Sequence, residues 1–116
     1  MQILNILIGI VAILHFLFLV LEMVFWDQPL GMNIFGHTYQ FAKQSKELAM
    51  NQGLYNGFLS AGLLWGLSIG SNGESIKIFF LGCAIIAGTY GGWTVTRKIF
   101  FIQSLPAILA LGLLLV

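Results

Sequence analysis

Glu22 is the sole acid in a long apolar run, and that placement makes it the chain's leading candidate for chemistry. An acid taken into a membrane costs at least about 2.5–3.5 kcal/mol at a helix centre, so one that is retained there is a functional candidate by default. His15 precedes Glu22 by seven residues, nearly two helical turns. On a helix the two share a face, about 10 Å apart along the axis. They have the makings of a general acid or base with a partner, at a spacing too long for direct proton transfer but spannable by a substrate. Further along, Asn51 and Tyr55 are four residues apart, as are Gln52 and Asn56. Four polar side chains on one broad helix face can hydrogen-bond a carboxyl, and one carboxyl does not use up so many partners. The plain reading is a clasp between two helices, worth on average about 0.6 kcal/mol per bond. The surplus of polar groups points to a clasp that also holds the polar head of a ligand.

Other chemistries are poorly supplied. Cys83 is the only cysteine, so there is no internal disulfide and no zinc-type cysteine cluster. It sits in an apolar stretch as a small packing residue. His15 and His37 are too far apart in sequence, with one acid near them, to resemble a ligand set. No metal and no cofactor are therefore expected. Five basic and four acidic residues, with a net charge of +1, cannot make a nucleic-acid surface.

The elements that must position these residues follow from hydropathy. Hydrophobic residues make up 59% of the 116 and charged ones 8%, and the mean hydropathy is +0.95. A water-soluble domain needs more charge to cover its surface. Apolar stretches run from about Gln2 to Phe25, Leu48 to Ile69, Ile76 to Thr96 and Phe100 to Val116. A hydrocarbon core of about 30 Å needs roughly 20 such residues per helix. The expectation is an all-α integral membrane four-helix bundle, a single transmembrane domain over residues 1–116. Its helices should cover about 2–26, 47–70, 76–97 and 100–116. The N-terminal run has no basic residue before it and no small-x-small site after it, so it is expected to remain as a helix.

Loop charges set the orientation. Lys43 and Lys46 lie between the first two stretches, and Arg97 and Lys98 between the last two. Only Lys77, with Glu74 beside it, lies in the middle break. Positive residues stay inside, which gives a multi-pass inner (plasma) membrane protein with both termini extracytoplasmic. Glu22, Asn51, Gln52, Tyr55 and Asn56 then fall near the cytoplasmic ends of their helices. Tyr90, Trp93 and Gln103 fall at the same level. The opposite half is Leu, Ile, Ala, Gly and Phe, apart from Asn5, Ser60 and Ser68. A conducting pore needs polar lining throughout. This pattern suits a blind pocket facing the cytoplasm, with Phe58, Leu63, Ile85 and Leu109 as its apolar floor.

Met32 to Lys46 is the longest connector. Ile34, Phe35, Tyr39 and Phe41 lie there among polar residues, as expected of a segment in the interface against membrane lipids, a short amphipathic helix being one form of it. It can be a plain connector or a lid over the pocket. Gly53/Gly57, Gly62/Gly66/Gly70 and Gly88/Gly92 recur at the four-residue spacing that lets helices approach closely. Their first use is packing within the bundle, and homodimerisation through one ladder is the alternative.

The strings LEMVFW (Leu21–Trp26), FGHTYQFA (Phe35–Ala42) and NQGLYNGFLSAGLLWG (Asn51–Gly66) resemble a family of small bacterial four-helix membrane proteins, catalogued as domain of unknown function 1304. The resemblance implies an integral inner-membrane protein and carries no activity. Three functions compete. The first is binding or transport of a small amphipathic molecule, its head at Glu22, Asn51, Gln52, Tyr55 and Asn56. The second is a membrane enzyme, isomerase- or hydrolase-like, with Glu22 as acid or base and His15 as partner. The third is an accessory subunit of a larger membrane complex.

Overall fold

A computed structural model describes residues 2–116, nearly all of them helical. Helix α1 (Gln2–Met23) is apolar on every side. Leu4, Ile8, Val11, Ala12, His15 and Glu22 are nonetheless buried along one stripe, while Ile3, Ile6, Ile10, Ile13 and Leu17 stand exposed. The three- and four-residue steps of both sets are those of a helix with one packed face. Pro29 opens the short helix α2 (Pro29–Phe35) at a position where its missing N–H is no loss. Gly36 closes it with φ at 70°, a left-handed conformation, and its N–H donates to the Met32 carbonyl at 2.8 Å. Helix α3 (Tyr39–Ser68) is 30 residues long. Ala42, Ala49, Gly53, Asn56, Ser60 and Leu63 form its buried stripe. A 3-10 turn (Gly70–Gly73) leads into α4 (Glu74–Thr94). The last segment runs through α5 (Arg97–Ile99), a π turn (Phe100–Ser104) and α6 (Leu105–Leu115).

Two boundaries differ from expectation for a physical reason. The segment from Met32 to Lys46, expected in the interface as a connector or a short amphipathic helix, is mostly helix, but it belongs to longer elements: the end of α2 and the first two turns of α3. A helix need not end where polarity changes, because its backbone bonds are indifferent to what the side chains face. Lys77, counted with the break between the second and third stretches although it falls at the start of the expected helix 76–97, lies within the first turn of α4 on its buried stripe with Leu81, Ala84 and Gly88. Its aliphatic stem runs beside Gly66, a normal use of a long cationic side chain.

Three segments are long and apolar enough to cross a membrane: Gln2–Met23, Gly70–Thr94 and Arg97–Leu115. Apolar side chains exposed over so much of the surface are not the mark of a water-soluble monomer. The expected span from Leu48 to Ile69 lies within α3. That helix is longer than a span but too polar in its first half, with Lys43, Lys46, Glu47, Asn51 and Gln52, to join this set.

The chain forms two compact units. One contains residues up to Leu14 together with Leu59–Val116, and the other is His15–Phe58. In the first, Leu4, Ile8, Val11, Leu63, Leu81, Ala84, Ala107 and Ala110 make the core. Helix α4 packs on the π turn and α6. Pro106 has no N–H to give, and the turn before it widens, so that the Leu105 N–H reaches back to the Phe100 carbonyl. Ser104, fully buried in that turn, donates from Oγ to the Ile85 carbonyl at 2.8 Å and lies 3.2 Å from Thr89 Oγ1. Gly88 makes the approach possible. A Cβ there would stand 2.7 Å from the Ser104 nitrogen and 2.8 Å from Gln103 Cβ.

Gly88→Ala should therefore destabilise the protein by about 1–3 kcal/mol, as overpacking does. Gly82→Ala, with nothing within 4 Å of the added methyl, should leave stability unchanged or raise it. Unfolding midpoints in mild detergent check both. Equal behaviour of the two variants would contradict the packing described.

Candidate functional site

In the His15–Phe58 unit, Glu22 lies on the packed face of α1 and is 5% exposed. Asn56 Nδ2 donates to its Oε1 at 2.6 Å, and Gln52 Nε2 donates to its Oε2 at 3.1 Å. The two amides come from successive turns of α3, so both oxygens of one carboxyl are met from one helix. Neighbouring glycines let this happen. A Cβ on Gly53 would stand 2.8 Å from Met23 Cγ, 3.1 Å from Glu22 Cβ and 3.2 Å from the Leu19 carbonyl oxygen. One on Gly57 would run into Leu19 Cδ1. With a larger residue at Gly53 the helices would part, and the short Asn56 side chain would no longer reach.

The two amides are not equivalent. Asn56 is 7% exposed, whereas Gln52 is an exposed residue. Oε1 thus has an enclosed partner and Oε2 a peripheral one. Asn51 and Tyr55, expected in the same group, stand on the exposed face of α3 beside Gln52. The Tyr55 ring meets Phe58 edge to face at 5.6 Å. His15 is fully enclosed on the same stripe as Glu22, and its ring meets Phe18 edge-on at 6.0 Å.

Tyr90, Trp93 and Gln103 belong to the other unit. Tyr90 and Trp93 are exposed on α4, where they line a shallow groove of about 390 Å³ with Ile85, Ile86 and Thr89. Gln103 is half-buried in the π turn, its Cβ against Gly88. Of the four residues named as an apolar floor, Leu63 is buried in the core, while Phe58 and Leu109 are exposed. Among the described residues no group of three or more His, Cys, Asp or Glu could hold a metal ion.

A second construction in the same unit was not visible in the sequence. Trp26 is surrounded by the rings of His37, Phe35 and Phe41, with centroids 4.3, 5.0 and 6.5 Å away. Its Nε1 donates to Ser45 Oγ at 3.0 Å, and Ser45 Oγ donates on to the Phe41 carbonyl at 2.7 Å. His37 Nε2 lies 3.0 Å from the Trp26 carbonyl, which can only accept, so this nitrogen carries the proton. Gly31 packs so closely on the Phe25 carbonyl that no Cβ would fit. The connector is thus folded tightly around Trp26. The only hint in the sequence was the density of aromatics between Trp26 and Phe41.

Lys46 Nζ donates to Asp27 Oδ2 at 3.0 Å across the same connector. That bond holds the Asp27 carboxyl below the usual aspartate range. A depressed carboxylate stabilises the fold above its ordinary value, and the contribution is lost as pH falls through the depressed one. Lys46→Ala should move the Asp27 titration upward toward the ordinary value, as followed by carboxyl-carbon NMR. The effect on overall stability should be small, because the pair is solvent-accessible.

No solved structure matches the chain. It is similar to "Uncharacterized protein YpaA" of Lactococcus lactis subsp. lactis (strain IL1403), 30% identical over 114 residues that cover 96% of each chain. The family model described as "Protein of unknown function (DUF1304)" matches residues 9–115, and with that coverage the chain belongs to this family.

Proposed function

We propose that the protein is a multi-pass plasma-membrane protein that binds a small amphipathic molecule at Glu22. In this reading α3 supplies a fourth span from about Leu48 onward. Lys43, Lys46, Arg97 and Lys98 then face the cytoplasm, and both termini lie outside. One observation carries the binding role: Glu22 is buried, but the outer of its two amide partners is itself exposed. A group of that kind can yield to a ligand without unfolding the helix pair. Mostly apolar surroundings with a few convergent polar groups are the usual composition of a ligand site. A second reading, an accessory subunit in which Glu22 only ties α1 to α3, draws on the fact that both carboxyl oxygens already have partners.

Native mass spectrometry of protein released from mild detergent separates the two. The binding role predicts a co-purifying small molecule on wild type that is absent from Glu22→Gln. A bare mass for both would leave the clasp alone. The topology has its own test, in a Cys83→Ser background on intact cells. An impermeant maleimide should label Asn72→Cys and spare Lys98→Cys. The reverse pattern would invert the orientation.

A further inference from the structure

Glu22 is met by hydrogen bonds but by no cation. Its two partners are neutral amides. Among the described residues the salt bridge is the one between Lys46 and Asp27, outside the helix carrying Glu22. No metal-holding cluster is present among them either. Buried charges in proteins are ordinarily paired or bound to metal, because amide dipoles satisfy lone pairs without cancelling charge. Each carboxyl oxygen accepts one amide N–H, so the amides satisfy lone pairs and bring no positive charge to Glu22.

The surroundings are asymmetric in a way that suggests what completes them. Asn56 is enclosed on a turn of α3 that Gly53 and Gly57 hold close to α1. Gln52 reaches Oε2 from the exposed side with a longer, freer side chain. Three residues on from Gln52, and so adjacent on the helix surface, Tyr55 is 62% exposed. It pairs with Phe58, 52% exposed. An acceptor oxygen behind a displaceable amide, next to open aromatic faces, matches a ligand with an N–H-bearing cation at one end and apolar carbon at the other. Aromatic faces also attract a cation that approaches them.

We infer that the site takes a primary or secondary ammonium group carried on an apolar tail. The ammonium N–H donates to Glu22 Oε2 in place of Gln52, Asn56 keeps Oε1, and the tail lies over Tyr55 and Phe58. This deepens the binding role proposed above and rests on it. The two requirements, charge and donor, separate simple probes. Decylammonium has both, decyltrimethylammonium has charge without a donor, and decanol has a donor without charge.

The test is titration of the whole protein in lipid nanodiscs with each probe, following the side-chain amide NMR signals of Gln52 and Asn56. Decylammonium should saturate at least tenfold more tightly than decanol, with decyltrimethylammonium between them. The Gln52 signal should move toward that of a free amide. Glu22→Gln should abolish the preference for decylammonium. Gln52→Ala removes an exposed side chain and leaves the Asn56 bond to Oε1 in place, and its unfolding midpoint in detergent is compared with wild type. The variant should bind decylammonium as tightly as wild type or more so, read from the Asn56 signal, because no amide must be displaced. Equal affinity for decanol and decylammonium, or loss of binding in Gln52→Ala, would overturn the ammonium assignment and leave the binding role standing. If no probe saturates while wild type retains a co-purified ligand that Glu22→Gln lacks, the assignment fails alone. If no probe saturates and both proteins are bare, it fails together with the binding role.

Discussion

How near two helix backbones can come decides most of what happens around Glu22. Hydrogen bonds between side chains on neighbouring helices need donors and acceptors within about 3 Å. Asn has a short side chain, so it can serve Glu22 only if its backbone is close. Gly53 supplies that closeness where a Cβ would meet Glu22 Cβ and the Leu19 carbonyl oxygen, and Gly57 leaves room for the Leu19 side chain. Along the packed stripe of α3 the residues are Ala42, Ala49, Gly53, Asn56 and Ser60, all of small or modest size. What joins the two helices here is close approach of the backbones together with a few polar bonds. The carboxyl clasp and the glycine steps are thus one construction: the glycines set the distance, and the amides fix the register.

The other unit meets the same constraint with different groups. Gly88, Gly91 and Gly92 bring α4 against Ile99, Phe100 and Ser104. There the polar closure is a hydroxyl on a backbone carbonyl, Ser104 to Ile85. The π turn before Pro106 puts Ser104 where it can make that bond, with the proline's missing donor absorbed in the widened turn. Six of the ladder glycines, Gly53, Gly57, Gly62, Gly66, Gly88 and Gly92, meet side chains or backbone of their own chain. Packing within the chain, the first of the two uses expected of the ladders, is thus present at these six.

The sequence carried the helices and the heart of the site, because both rest on local spacing. A step of seven residues from His15 to Glu22 places both on one stripe of α1, and both are buried there. A step of four residues from Gln52 to Asn56 brings both amides to one carboxyl. Asn51 and Tyr55 show the limit of that reasoning. Consecutive residues are about 100° apart around a helix, so a broad polar face is wider than the contact it makes. Once Gly53 and Asn56 define the line of contact, Gln52 falls at its edge and Asn51 and Tyr55 fall outside it. The collar around Trp26 was out of reach for a different reason. Its bonds join residues 11 and 19 positions apart, through a segment with no hydropathy period to mark it. The early start of α3 at Tyr39 was hidden likewise, since polarity changes at Leu48 while the backbone helix does not.

What distinguishes Glu22 from Ser104 is the capacity it retains. Ser104 has a hydroxyl that donates once to Ile85 and meets Thr89, and little is left over. A carboxylate offers about four acceptor positions, and two amide N–H groups occupy two of them. Its charge is also left uncancelled by those amides. A clasp whose only task was to join α1 and α3 would be served as well by a neutral amide or hydroxyl, at a lower desolvation cost. An acid at that position makes physical sense when something other than the chain itself completes it. The exposed side of that acid, where Gln52 stands, is where such a partner would arrive.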